Sequence, residues 1–468
     1  MNRRPVICLT SLLLLAVLSA CEVGPDYTRP AAIVPSAYKE DQGWTPASPQ
    51  QAAGWESWWA IYDDPVLDGL EKQVDISNQN LKAADAAYRA ARADVGVQSG
   101  ALLPVVSANG SAKLGKQSLY QASLGGSWDL DVWGRIHRTI EGSAASAQAS
   151  AADIAAARLS AQSELAVDYY QLRASDEQAQ LLTAAAQDFQ AALTIAQNRF
   201  QVGIGTQADV LAAQTLIDNV QAEIINTTLT RDHAEHAIAT LIGKPPSEAS
   251  IQLAPLATTI PVVPAGIPST LLERRPDIAA SEFLVVAANA QIGVAESAWF
   301  PDVTLSGSVG SSAPSLLSLF NVSNVVWSVG PSLAATIFSG GVREAQTQEA
   351  RARYDEAVAN YRQTALTAFQ QVEDQLATLR VLEEQAAVEG RTVADARLSE
   401  QLALNQYRAG TADFTTVITA QTTRLNAENA ALNVQNQRFA GSVSLVVALG
   451  GGWDNSRISQ PVLSGDVP

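Results

Sequence analysis

The sequence predicts a mainly α protein with a membrane β-barrel, each chain supplying four strands and two pairs of very long helices. Three observations carry this: an internal duplication, four segments with strand periodicity, and long helical runs without Gly or Pro. Residues 199–215 read RFQVGIGTQADVLAAQT and residues 406–422 read QYRAGTADFTTVITAQT, with Gly203 matching Gly410, 207 residues apart (410 − 203). Upstream, Leu103-Pro104 to Gly110-Ser111 is echoed by Phe300-Pro301 to Gly307-Ser308, 197 residues apart (301 − 104). The repeated unit is a strand pair followed by a helical hairpin. A duplication on this scale outranks any single-residue motif.

The apolar run 6–18 follows Arg3-Arg4 and ends at Leu18-Ser19-Ala20-Cys21, the layout of a signal peptide whose small-residue cleavage site precedes a cysteine. Leu-Ser-Ala-Cys resembles a bacterial lipobox, which implies removal of residues 1–20 and acylation of Cys21. An ordinary secretory signal or an uncleaved anchor helix is the alternative. Glu22, rather than the aspartate that favours inner-membrane retention in enterobacterial lipoproteins, follows the cysteine, so an outer-membrane destination fits. With Cys8 in the leader and Cys21 acylated, no cysteine remains for a disulfide or a thiolate metal site. A formal net charge of −17 argues against a nucleic-acid partner, whose phosphates require a basic surface. No later run approaches the roughly 18 to 20 uninterrupted apolar residues of a spanning helix, so any crossing falls to strands.

Residues 22–75 carry six prolines and Trp44, Trp55, Trp58 and Trp59, which predict an extended, aromatic-pinned segment with a short helix near 65–72. Residues 77–103 are alanine-rich and helical until Pro104 stops them. In 105–116 the polar set Ser107, Asn109, Ser111 and Lys113 alternates with Val106, Ala108, Gly110 and Ala112. Residues 120–132 alternate likewise, with Gln121, Ser123, Ser127, Asp129 and Asp131 on the polar face. Asp302, Thr304, Ser306 and Ser308 mark a third strand, and Ser328, Ser332 and Thr336 a fourth. Each approaches the length that crosses an outer membrane at a tilt, and Trp128, Trp133, Trp299, Phe300, Trp327 and Phe338 sit where aromatic girdles belong. The same strands could make a half-buried sheet in a soluble domain; the lipobox and the lack of a spanning helix weigh against it. Four strands cannot close a barrel, so they must be pooled between copies, and three copies giving twelve strands is the natural solution.

Residues 143–202 contain no Gly or Pro and predict one helix which, starting near Ile136 and ending near Phe200, would be roughly 100 Å long at about 1.5 Å per residue. A second helix is expected over 206–242, and 342–409 and 413–447 repeat the pair, with a local bend at Gly390. Alanine on several faces suits helices packed side by side in a cylinder wall better than a two-stranded coil. Catalysis finds little support. Gly243-Lys244 is followed by Pro245 rather than a phosphate-binding Ser or Thr, and there is no Gly-x-Ser-x-Gly elbow. His233 and His236 stand at i, i+3 without an evident third ligand, and Gly203-x-Gly205 lies between two helices, the wrong context for a dinucleotide. We therefore expect no catalytic residue, no metal and no cofactor.

Val23-Gly24-Pro25-Asp26-Tyr27, Ser127-Trp128-Asp129-Leu130-Asp131-Val132-Trp133-Gly134-Arg135, Leu271-Leu272-Glu273-Arg274-Arg275-Pro276-Asp277-Ile278 and the two glycine turns together resemble the TolC/OprM family of bacterial outer-membrane efflux proteins, in its NodT-like lipoprotein branch. The resemblance covers essentially the whole mature chain. It implies a homotrimer whose twelve-stranded barrel continues as a long periplasmic α-helical barrel, with partners in a periplasmic adaptor (membrane fusion protein) and an inner-membrane pump. Alternatives are a type I protein-secretion duct and a non-conducting structural lipoprotein.

The expected division is 1–20 signal peptide, 21–76 N-terminal equatorial segment, 77–103 entry helix, 104–133 first β-hairpin and 134–243 first helical hairpin. The second half divides into 244–275 equatorial connector, 276–300 entry helix, 301–338 second β-hairpin, 339–449 second helical hairpin and 450–468 tail. Arg274-Arg275-Pro276-Asp277 reads as a helix start with Pro at its first position. By resemblance, the hairpin tips both close the pore and meet the adaptor. Asp413, then Asp209, are the constriction candidates, and Arg199, Gly203, Gly205, Thr206, Arg408, Gly410 and Thr411 the adaptor-contact candidates. Ser107, Asn109, Lys113, Ser123, Asp129, Asp131, Asp302 and Thr304 should line the barrel lumen, giving a net acidic, cation-favouring surface.

Overall fold

The first two helix starts follow from local capping. Asp64 accepts hydrogen bonds from Val66 N and Leu67 N to open α1 (Pro65–Ser77), with Pro65 at the position where a missing N–H costs nothing. Asn78 does the same for Asn80 N and Leu81 N at the head of α2 (Gln79–Gly100). The computed structural model describes residues 22–32, 34–40, 55–263 and 271–458. The signal peptide, Cys21, Trp44, residues 264–270 of the connector and the tail beyond 458 lie outside them.

After α2 come strands β1 (Val105–Lys113) and β2 (Leu119–Leu130), then helices α3 (Arg135–Gln201) and α4 (Gln207–Leu241). The second half repeats the order: α5 (Pro276–Ser297), β3 (Asp302–Ala313), β4 (Val325–Ala334), α6 (Val342–Ala409) and α7 (Phe414–Ala448). At 67 and 68 residues, α3 and α6 run about 100 Å each. α6 passes unbroken through Gly390. The second hairpin holds another interior glycine, Gly441, and a Cβ there would press on Leu379 of α6.

α3 and α6 span the whole helical section, and the shorter helices stack end to end beside them. On the strand side, α2, α3, α5 and α6 lie in sequence; on the tip side, α4, α3, α7 and α6 do. Alanine makes this spacing possible, since Ala152 of α3 meets Ala279 and Ala280 of α5 with no side chain long enough to hold the backbones apart. α5 is long and apolar enough to pass as a spanning helix by composition, contrary to the expectation that no such segment follows the leader. Packed between α3 and α6, it is a core helix instead.

A belt surrounds the middle. Trp58 and Trp59 are buried against α1 and α3, with the Trp58 indole N–H facing Gln162 and that of Trp59 donating to Asp68. Tyr170 stacks on Phe439 at 4.3 Å, tying α3 to α7. The connector is held by a buried carboxylate. Asp176 accepts from Arg173 at 3.1 Å, Arg231 at 2.7 Å and Ala254 N at 3.2 Å, while the two arginines donate to the Gln252 and Ile251 carbonyls. Both carboxylate oxygens thus find donors in place of the water that burial removes. Arg275 pairs with Asp277 and donates to Gln371 and the Ala448 carbonyl, so the Arg-Arg-Pro-Asp string locks α5 onto α6 and α7.

The duplication extends to this belt. Gly243 after α4, with φ of 70°, lies against the Ser77 carbonyl at the head of α2; Gly450 after α7, with φ of 96°, lies against the Arg274 carbonyl at the head of α5. These glycines are again 207 residues apart (450 − 243). Both need a left-handed backbone and the absence of a side chain. Replacing Gly243 or Gly450 with Ala should cost more than about 1 kcal/mol, whereas Gly410→Ala, left-handed but in open space, should cost less. Unfolding midpoints of the purified variants in detergent test the order.

Glu71 sits at i+4 in the apolar series Leu67, Leu70, Glu71, Val74 of α1 and is completely buried. Among the described residues neither carboxylate oxygen finds a donor. Burial, and secondarily the charge of Asp75, push its pKa up to about 9 from 4.5. A raised native pKa means the folded state holds a proton that the unfolded state releases, so this contribution is complete below about pH 4.5 and is lost as pH rises through about 9. Wild-type stability should fall over that range relative to Glu71→Gln, whose profile should be flatter; parallel denaturation profiles would count against it.

Candidate functional site

The four strands form one antiparallel sheet in the order β1-β2-β3-β4, so β2 and β3 join the two repeats at its centre and β1 and β4 are its edges. Directly opposed residues share a face. Asn109 faces Ser123, Asp129 faces Thr304, Thr304 faces Ser332, and Ser308 faces Ser328. The other face runs Ala108, Leu124, Val309, Trp327 across all four strands. Register therefore gathers the polar sets of the separate strands onto one surface and the apolar sets onto the other. Polar contacts cross the strands: Thr304 Oγ1 donates to Asp129 at 3.2 Å, and the Ser308 and Ser328 hydroxyls bond at 3.0 Å. β4 ends at Ala334, short of Thr336, and the chain turns through Gly340 and Gly341 into α6.

Ser107, Asn109, Lys113, Ser123, Asp129, Asp302 and Thr304 share the polar face. Asp131 is a correction. It lies past the end of β2, its side chain is 6% exposed, and its carboxylate accepts from Ile136 N, His137 N and the His137 ring. The free N–H groups at the head of α3 attract it more than the lumen does. Asp129 also stands 4.0 Å from Arg135, so Asp302 is the acidic group on this face without an ion pair among the described residues.

At the far end, two turns close the hairpins. Gly203 has φ of 79°, and the N–H groups of Ile204 and Gly205 both donate to the Arg199 carbonyl at 3.0 Å. A Cβ on Gly205 would crowd Arg199 and Phe200, so this glycine is required by proximity and Gly203 by conformation. Thr206 and Asp209 form a reciprocal capping box at 3.2 Å in each direction, which engages the Asp209 carboxylate in starting α4. Gly410 has φ of 76°, and Thr411 donates to the Gln406 carbonyl through both its N–H and its hydroxyl. Asp413 caps α7 through its backbone position only; its side chain is exposed and makes no hydrogen bond or ion pair among the described residues.

The sequence reading missed what joins the turns. Arg199 donates to the Tyr407 carbonyl at 2.8 Å and lies 4.7 Å over the Tyr407 ring, which in turn packs 5.1 Å from Phe414. Tyr407 is the duplicate of Phe200, yet it is 3% exposed where Phe200 is 47% exposed. Their shared place in the repeat is the signal that would have found them. Arg408 borders a crevice with Asp188, Glu400 and Leu404, where Arg424 holds Asp188 at 2.8 Å and Glu400 at 2.7 Å. His233 and His236 are exposed on α4, and no three His, Cys, Asp or Glu side chains converge among the described residues.

The N-terminal segment is fixed at the junction of strands and helices. Val23 N donates to the Trp133 carbonyl, Gly24 nests against Gly293, and Arg138 reaches Glu22, Val23 O and Asp26. Trp133 stacks on Phe300 at 4.7 Å in the same place.

A sheet with one wet and one greasy face, set on a wall of helices, is the arrangement of the outer membrane efflux proteins, whose family model matches residues 70–244 and 267–451. The chain belongs to this family. It is 30% identical to the toluene efflux pump outer membrane protein TtgC of Pseudomonas putida over 463 residues, covering 95% of this chain and 96% of that one. To the pyoverdine export outer membrane protein OpmQ of Pseudomonas aeruginosa it is also 30% identical, covering 94% and 96%. Among solved structures it resembles the outer-membrane channel OprN, with a TM-score of 0.86 at 31% identity, covering 92% of this chain and all of that one. The chain is thus the bacterial outer-membrane channel component of an efflux pump, contributing its sheet to a membrane β-barrel that is continued by a helical barrel.

The two aspartates at the junction separate two kinds of effect. Asp302→Asn should move the reversal potential under a salt gradient toward zero while leaving stability alone. Asp131→Asn should cost about 0.5–2 kcal/mol through the lost helix cap and leave ion preference unchanged. Planar-bilayer recordings and unfolding curves on both variants check the split.

Proposed function

We propose that the protein is a lipid-anchored, homotrimeric duct that passively exports small toxic molecules, joined at its tips to a periplasmic adaptor and through it to an inner-membrane pump. The observation that carries the trimer is the open sheet. β1 and β4 each leave one edge of backbone N–H and C=O groups unpaired within the chain, and hydrocarbon offers such groups no partner. Pairing the β4 of one copy with the β1 of the next satisfies both, and three copies make twelve strands.

Acylation of Cys21 is supported by where its neighbour sits. Glu22 touches Gly134 beside the stacked Trp133 and Phe300, an aromatic pair of the kind that marks a membrane boundary.

At the tips, Val202 and Ile204 are 70% and 66% exposed beside Gly203 and Gly205, an apolar contact surface suited to an adaptor. Gly410, Thr411 and Arg408 form the second, polar tip. The free carboxylate of Asp413 supports its place at the pore constriction better than Asp209, whose carboxylate is bonded within its own turn. The relatives named for toluene and for pyoverdine are equally similar to this chain, so similarity does not choose the cargo.

Two measurements test this reading. Asp413→Ala should raise single-channel conductance in planar bilayers, and an unchanged value removes it from the constriction. A photo-crosslinker at Ile204 in intact cells should capture an adaptor, and loss of the gene should raise sensitivity to toxic compounds; a trimer that neither crosslinks nor protects would overturn the export role.

A further inference from the structure

The connection between β3 and β4, residues 314–324, reads PSLLSLFNVSN. Leu316, Leu317, Phe320 and Val322 are 60%, 91%, 81% and 87% exposed. No Asp, Glu, Lys, Arg or His occurs anywhere from Val303 through Val342. The other hairpin turn differs: residues 114–118 read LGKQS and follow Lys113. A loop standing in water above the membrane has no reason to exclude charge and present its largest apolar groups.

Its direction is set by hydrogen bonds. Ser311 lies on the apolar face of β3, in alternation with Val309 and Ala313, and its hydroxyl donates to the Leu319 carbonyl. The loop therefore folds back over that face, and Ala313 beneath it is 1% exposed. It packs on β3 and β2, the central strands, rather than across the free edges where neighbouring copies join. Within the loop, Asn321 N donates to Ser318 O, Asn324 N to Asn321 O, and the Asn324 side chain to Ser318 O, so part of its backbone polarity is satisfied internally. Depth agrees as well. The 12 residues of β3 at about 3.3 Å each, tilted about 45°, rise roughly 28 Å, so the loop emerges at the outer boundary of the hydrocarbon rather than far above it.

We propose that residues 314–324 form an interfacial hook that buries Leu316, Leu317, Phe320 and Val322 among the acyl chains of the membrane's outer leaflet. The hook extends the apolar band of β3 and β4, continuous with Val309 and Trp327, and fixes the height of the barrel in the bilayer. The bond to Ser311 and the covering of Ala313 favour the apolar face over the lumen as its seat.

The test uses the full-length trimer reconstituted in phosphatidylcholine vesicles, with and without phosphatidylcholine carrying a nitroxide on its acyl chain. Leu317→Cys and Phe320→Cys, each labelled with a small fluorophore, are compared with Lys116→Cys in the other turn, and protein without an added cysteine gives the background. Labels at 317 and 320 should be quenched several-fold more by the nitroxide lipid than the label at 116, and several-fold less by aqueous iodide. Iodide quenching equal to that at 116 would place the loop in water, and protection from both quenchers would place it against protein; either result overturns the hook. If one variant does not assemble, the other, or Val322→Cys, reads the same quantity.

Discussion

Everything in this protein follows from the requirement that backbone hydrogen bonds be closed inside a bilayer. Hydrocarbon cannot solvate an N–H or a C=O, so a chain with four strands and two open edges is incomplete by itself. That constraint demands further copies. It also forces the alternation of side chains, because each strand must face lipid on one side and water on the other. The helices inherit the result, since they leave the barrel as a ring and must continue as one.

The helical section answers with a duplicated plan. Two helices of about 100 Å run its length, and the shorter ones are stacked in pairs whose joints fall at the belt. At each joint a left-handed glycine lets the end of one short helix touch the carbonyl at the head of the next. Around these joints lie the buried cluster of Asp176, Arg173 and Arg231 and the stack of Tyr170 on Phe439. The most heavily cross-braced part of the helical section is therefore its waist. The tips are held more lightly, through Arg199 on Tyr407 and short glycine turns.

Some of the candidate site could be read from residues alone, and its errors have physical causes. The polar strand faces were readable because period two survives any arrangement of the sheet. Asp131 was misplaced because the alternation of polar and apolar residues continues one step beyond β2, where helix α3 captures the carboxylate. Asp413 and Asp209 part company in their bonds, since Asp209 is engaged in a capping box with Thr206 while the Asp413 side chain caps nothing. Glu71 was overlooked although its spacing within Leu67, Leu70 and Val74 marks a buried position. The contact of Arg199 with Tyr407 escaped because it joins residues 208 apart.

The sequence by itself determined the long helices, the two-faced strands, the tandem repeat and the glycine turns, because these depend on neighbours within a few residues along the chain. Only the tertiary structure decided that β2 pairs with β3, that the belt joints repeat, which carboxylates remain free, and that the charge-free loop folds back over the apolar face. Each of those depends on groups brought together from distant parts of the chain, where register and burial, rather than local preference, select the partner.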